Sequence, residues 1–141
     1  MSAAIYFVVP GAPHGKGRPR ASSRGGFVRM YTPAATQAYE TLIAKQAAFA
    51  RGDWPVMATP MSLRVAAYHP IPASWSKRKQ QQALAGDLIP GKPDLDNVAK
   101  AVLDALNGVV YLDDKQVVRL VAEKRYSFEP RVEVYVHEVL K

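Results

Sequence analysis

Apolar residues recur along this chain in two rhythms. Between Asp94 and Asn107 they fall at Leu95, Val98, Ala99, Val102, Leu103 and Leu106, the three-and-four spacing of a helix with one buried side, and Gly108 ends the run. Ala34 to Arg51 is built from helix formers, with Thr32 placed to cap it, Pro33 in its first turn and Gly52 just past its end. These are the two main helices predicted, and Lys77–Ala85 predicts a shorter one that Gly86 closes. The second rhythm is alternation. Met61–His69 sends Leu63, Val65 and Ala67 one way and Arg64 and Tyr68 the other, as a half-buried strand does. Further strands are predicted over Ala4–Val9, Val109–Leu112, Val117–Tyr126 and Arg131–Val139, with Pro10 and Glu129-Pro130 as punctuation. Gly11–Thr32 has neither rhythm and is expected to be a long loop, and Pro90–Pro93 a linker. Strands and helices in this order predict one α+β domain over residues 1–141, without repeats.

Composition adds exclusions. A chain of 141 residues, 48% apolar and 22% charged, has room for one hydrophobic core and no second domain. Without cysteine there is no disulfide framework, thiolate zinc site, iron–sulfur cluster or cysteine nucleophile. No stretch approaches a membrane span, and the first residues read as a strand rather than a signal peptide, so a cytoplasmic protein without a membrane partner is expected. Charge is more informative. Nineteen Lys and Arg against 12 Asp and Glu give +7, which favours a polyanionic partner, nucleic acid first. No acidic residue precedes Glu40, while Lys16, Arg18, Arg20, Arg24 and Arg29 all do; this segment is expected to contact phosphates.

Against that background, Asp94, Asp96, Asp104, Asp113 and Asp114 gather five of the chain's 12 acids into one short stretch. Clustered carboxylates repel one another unless a cation neutralises them. The spacing places Asp96, Lys100 and Asp104 on one stripe of the helix, and a turn at Gly108 can return Asp113-Asp114 beside it. Carboxylates converging there would make a hard oxygen site for Mg²⁺ or Mn²⁺. In a basic protein that is the equipment of a metal-dependent nuclease, with Lys100 in reach to stabilise the transition state or the leaving oxygen, or to help deprotonate water. Two plainer readings stay open: a capped helix with an Asp96–Lys100 ion pair worth about 0.2–0.5 kcal/mol, and an Asp113-Asp114 turn. Other chemistries fit worse. The glycines from Gly11 to Gly17 lack the spacing and the Ser/Thr of a phosphate loop. His14, His69 and His137 have neither zinc spacing nor a triad pattern.

The order Asp94-Leu-Asp-Asn-Val-Ala-Lys100, then Asp104-Ala-Leu106, then Asp113-Asp114-Lys-Gln-Val117 resembles the RusA-type Holliday junction resolvases of bacteria and their prophages. Lys16-Gly-Arg-Pro-Arg20, Tyr31-Thr-Pro33, Lys124-Arg-Tyr126 and Arg131-Val-Glu-Val134 extend the likeness over most of the chain, whereas Pro70–Lys92, with Lys77-Arg78-Lys79, departs from the shortest members. The resemblance implies a RusA-like α+β domain with a mixed β-sheet, assembled as a homodimer whose two-fold symmetry matches a four-way DNA junction. It implies Mg²⁺- or Mn²⁺-dependent paired nicks that leave ligatable ends, in DNA recombination and repair, with no small-molecule cofactor. By position the metal would be held by Asp94, Asp96 and Asp114, with Lys100 as the essential lysine and Lys16, Arg18, Arg20, Arg24 and Arg29 on the DNA. Two rivals keep their place here. One is a non-catalytic binder of branched DNA, and the other is a metal-dependent nuclease for RNA or for other branches.

Overall fold

The computed structural model describes residues 3–17, 20–22, 26, 29–31 and 33–139, with 20–22 and 29–31 described by backbone alone. Its elements are strands β1 (Ala4–Pro10), β2 (Arg20–Ser22) and β3 (Arg29–Tyr31), helix α1 (Ala34–Arg51), β4 (Met61–Pro70), α2 (Lys77–Ala85), α3 (Leu95–Ala105), β5 (Val117–Ser127) and β6 (Arg131–Glu138). Four strands form a mixed sheet in the order β1-β6-β4-β5: β6 runs antiparallel to both β1 and β4, and β5 lies parallel to β4. A parallel pair needs a long crossover, and here α2, α3 and the turn after them supply it.

Alternation decides which face is covered. Register lines up Ile5, Val136, Leu63 and Leu120 in one row across the sheet and Phe7, Val134, Val65 and Ala122 in the next. Helices α1 and α3 close this face with Tyr39, Ile43 and Ala47 from one and Val98, Ala101, Val102 and Ala105 from the other. Each fully buried aliphatic side chain stabilises the fold by about 1.5–3 kcal/mol. The opposite face carries Tyr6, Arg64, Glu123, Glu133 and Tyr135, laced by Arg64–Glu123 (3.2 Å) and Arg131–Glu133 (2.7 Å) ion pairs.

The segment after β4 docks on β5. Trp75 meets Tyr126 edge-on at 5.4 Å and carries the Lys79 ammonium 4.1 Å above its ring. Ser76 caps α2 by accepting from the Lys79 N–H at 3.2 Å, and Gly86, at φ +88°, ends it in the left-handed conformation that glycine adopts without a Cβ clash. Lys77, Arg78 and Lys79 stay exposed. Among the described residues no helix is long and apolar enough to cross a membrane.

Several sequence expectations need correction. Val109–Leu112 is not a strand: it is a turn with isolated bridges, in which the Val109 and Val110 N–H groups both donate to the Leu106 carbonyl. Val110 and Tyr111 are buried because they plug the end of α3, and an apolar run has the same look there as in a strand. Gly11–Thr32 is not all loop, since β2 and β3 pair within it. Residue 33, a proline, occupies the cap position of α1 and offers no side-chain bond; the expected cap, Thr32, lies outside the described residues. Helix α3 gives way at Leu106, short of Asn107.

His69 continues the inward register of β4 and is only 4% exposed, with no partner for its Nε2. Burial, reinforced by Lys124 on β5, holds its pKa below the usual histidine value. A group whose folded pKa is depressed in this way favours its neutral form on folding, so the unfolded chain takes up the proton first as pH falls. Stability is therefore expected to decline as pH drops below about 6.5, and His69→Gln is expected to flatten that decline. Thermal melts at a series of pH values from 7.5 to 5 check this; an unchanged slope in the variant removes His69 as its cause.

Candidate active site

The site is built on the first turns of α3. Asp94 stands at the N-cap position, where its backbone carbonyl accepts from the Asn97 and Val98 N–H groups at 3.1 and 3.2 Å. Its side chain makes no capping bond, although an aspartate at this position ordinarily does. Asp96 is exposed on the same turn, where the helix dipole tolerates negative charge. Neither carboxylate has a hydrogen-bond or ion-pair partner among the described residues.

Further along the helix the charges are paired. The Lys100 ammonium donates to Asp104 Oδ1 at 2.9 Å and lies 4.0 Å from Asp114 Oδ2. The plainer reading of an Asp96–Lys100 pair is thus replaced: Lys100 turns toward the helix C-terminus and across to the second acidic group. Its hydrogen bond to Asp104 is the main reason its pKa lies above the ordinary lysine value.

The second acidic group folds as a single 3-10 turn over Asp114–Gln116. Asp113 caps it, accepting from the Lys115 N–H at 2.9 Å, while the Gln116 side chain returns to accept from the Asp113 N–H at 2.9 Å. The Gln116 amide also donates to the carbonyls of Met57 and Thr59, at 2.9 and 3.0 Å, which fixes the turn to the chain entering β4. The two adjacent acids therefore divide roles. The Lys115 N–H holds the Asp113 carboxyl below its ordinary range, and burial together with the Asp113 hydrogen bond pushes Asp114 above it. Below them Tyr111 donates its hydroxyl to the Leu103 carbonyl at 2.8 Å, and burial keeps that phenol firmly protonated.

The amino-terminal segment crosses the same helix. The Lys16 N–H donates to the Asn97 carbonyl at 2.9 Å, and the Gly17 N–H to Thr36 Oγ1 on α1 at 3.0 Å. A Cβ at Gly15 would sit 3.0 Å from the Pro93 side chain and 3.1 Å from that of Asn97, and one at Gly17 only 2.6 Å from Thr36 Oγ1. Glycine is what lets the segment lie this close. Lys16, expected on DNA, places its ammonium between Glu40 of α1 and Asp104 of α3, the latter at 3.2 Å. Burial opposes its charge, but the hydrogen bonds it donates to both carboxylates raise its pKa overall. Of the other expected DNA contacts, Arg18 and Arg24 lie outside the described residues, and Arg20 and Arg29 are placed by backbone in β2 and β3.

Sequence reasoning missed the groove beside Asp94. His14, Gly15, Lys16, Lys92, Asp94 and Asn97 line it, and His14 is steadied by the Tyr39 ring at 5.4 Å. Lys92 was legible as a cation two residues before Asp94; His14 was legible only as a histidine in a cationic segment. Among the described residues no three carboxylate or imidazole side chains are gathered closely enough to grip a metal, so Asp94, Asp96 and Asp114 are not drawn together there.

The chain is 45% identical over 138 residues, 96% of each chain, to a Bacillus subtilis (strain 168) protein described as "Uncharacterized protein YqaN". A family model described as "Endodeoxyribonuclease RusA" matches residues 10–137, which takes in the groove, α3, the acidic turn and nearly all of the sheet. The chain therefore belongs to the RusA endodeoxyribonuclease family.

Proposed function

We propose that this protein is a metal-dependent endonuclease that resolves four-way DNA junctions by paired, symmetric nicks, acting as a homodimer. The observation that carries the reading is the pair of partnerless carboxylates, Asp94 and Asp96, on the first turn of α3 beside a lysine and a third acid. In a protein with a net charge of +7, two partnerless acids facing solvent gain only the small favourable interaction with the helix N-terminus, which leaves room for a role toward a cation. The donor set suits a hard divalent cation in kind, since all three expected ligands are carboxylates, but among the described residues they are not gathered and would have to close on the ion. Asp94, Asp96 and Asp114 would hold Mg²⁺, or Mn²⁺ in its place, which would supply an activated water and charge neutralisation at the scissile phosphate.

The chain's own residues do the rest. Lys100, 55% exposed, presents a cation to the charge that develops on phosphate and leaving oxygen. The helix N-terminus offers its free N–H groups to the same anion. Arg18, Arg20, Arg24 and Arg29 hold the backbone without reading its sequence. A two-fold dimer presents two such centres to the two strands that must be cut.

A synthetic four-way junction, incubated with and without Mg²⁺ and mapped on all four strands, tests the reading. Nicks at symmetric positions in two opposed strands, only with the cation, are expected; an uncut junction, or a linear duplex cut equally well, overturns it. In the same assay Arg18→Ala with Arg20→Ala is expected to weaken junction binding and to reduce the slope of log K against log salt by about 2. A slope equal to that of the parent would remove both arginines from the phosphate contacts.

A further inference from the structure

We propose that Asp104, itself held by Lys16, is the positioning residue that aims Lys100 at the scissile phosphate. The inference rests on the reading of Lys100 given above and assigns a task to two residues which that reading leaves without one. Asp104 uses its two oxygens for two different lysines: Oδ1 takes Lys100 at 2.9 Å and Oδ2 takes Lys16 at 3.2 Å. Glu40 of α1 flanks Lys16 on its other side. The result is a chain of alternating charges, Glu40–Lys16–Asp104–Lys100–Asp114, that crosses from α1 over α3 to the acidic turn.

Lys100 is the most exposed member of this chain of charges, with Asp114 at 31% beyond it. Glu40, Lys16 and Asp104 are each about one-fifth exposed, whereas Lys100 is 55% exposed. The inner members are shielded from salt and water, and Lys100 reaches solvent from a fixed root. A lone exposed lysine would instead sample its many rotamers.

Helix energetics alone do not account for Asp104. It sits in the last turn of α3, where the dipole disfavours an acid, and its pairing with Lys100 has the cation N-terminal, the weaker of the two i,i+4 orders. Lys16 offsets that unfavourable placement, and Lys16 is itself pinned by its N–H to the Asn97 carbonyl and by the glycines on either side of it. With both oxygens engaged by ammonium groups, Asp104 is a partner for lysines and not a fourth metal ligand.

Two measurements decide the matter. In single-turnover cleavage of a four-way junction with Mg²⁺, Asp104→Asn is expected to lower the rate about 10- to 100-fold, as loss of an orienting partner does, with the junction Kd within about twofold of the parent. Lys16→Met is expected to show a smaller loss that Lys16→Arg restores. The double variant Asp104→Asn with Lys100→Ala is expected to be no slower than Lys100→Ala alone, because the first change acts through the second. The other measurement needs no substrate: acetylation of Lys100 by a small reagent, followed by mass spectrometry, is expected to be faster in Asp104→Asn, while exposed Lys45 reacts unchanged. Asp104→Asn cleaving at the parental rate, losses that multiply in the double variant, or Lys100 labelled no faster each overturn the proposal. A parent protein that leaves junctions uncut, while Lys100 labelling still accelerates in Asp104→Asn, overturns the reading of the site and upholds the positioning.

Discussion

An Asp96→Asn protein is expected to lose junction cleavage by at least ~10²-fold while binding the junction as tightly as the parent or more tightly. Asp96 is exposed on the first turn of α3 and bonds to nothing among the described residues, so its loss leaves packing intact. The stability cost is confined to the favourable interaction of an acid with the helix N-terminus, about 0.3–1 kcal/mol. Removing a negative charge from the face that meets a polyanion also lowers repulsion toward phosphate. On the proposed reading, cleavage would then fall through the loss of a cation ligand rather than through unfolding or weakened binding. Cleavage rates and band-shift affinities on one junction separate these causes, and persistent Mg²⁺-dependent nicking by the variant ends the assignment of Asp96.

The second large effect is on the fold. Leu63 is fully buried in β4, flanked by Val136 of β6 and Leu120 of β5. Because β4 is paired along both edges, the surrounding backbone cannot collapse into the space that a truncation opens. Leu63→Ala is expected to destabilise the protein by about 3 kcal/mol and to lower Tm by roughly 10 °C. Leu84→Ala, on the exposed side of α2, serves as the control and is expected to change stability by less than about 0.5 kcal/mol. Urea melts read both; a midpoint for Leu63→Ala matching that of the control contradicts the role of β4 at the centre of the core.

What the sequence made legible follows from the range over which each interaction acts. Helix α3 and strand β4 were readable because their periodicity is local and one-sided: Leu95, Val98 and Val102 on one, Leu63, Val65 and Ala67 on the other. Asp113 was readable as turn chemistry, and the structure uses it as a cap. Val109–Leu112 misled because an apolar run has the same appearance whether it enters a sheet or plugs a helix end, and only the tertiary contacts of Tyr111 decide between the two. The β2–β3 pair carries no apolar alternation and left no signal of its own. Within the candidate site, spacing sets Asp96, Lys100 and Asp104 on one local stripe with Asp113-Asp114 in an adjacent turn, and the set Asp94, Asp96, Lys100 and Asp114 is what the resemblance to the RusA-type resolvases implies. The bond from Lys16 to Asp104 joins positions separated in sequence by α1, β4, α2 and most of α3, so no spacing rule reaches it. Lys16 accordingly looked like one more cation for DNA.

The parallel pairing of β4 with β5 has a consequence for how the enzyme is born. The strands meet only after the chain has run through α2, α3 and the acidic turn and come back alongside, and closing so long an excursion is slow compared with forming either helix. Asp114 lies in the turn that leads directly into β5, 4.0 Å from Lys100. During synthesis the arginines proposed to hold phosphates leave the ribosome well before Asp114 is made and can meet Lys100, so on that reading the nascent chain would gain its affinity for nucleic acid before its capacity to cut it.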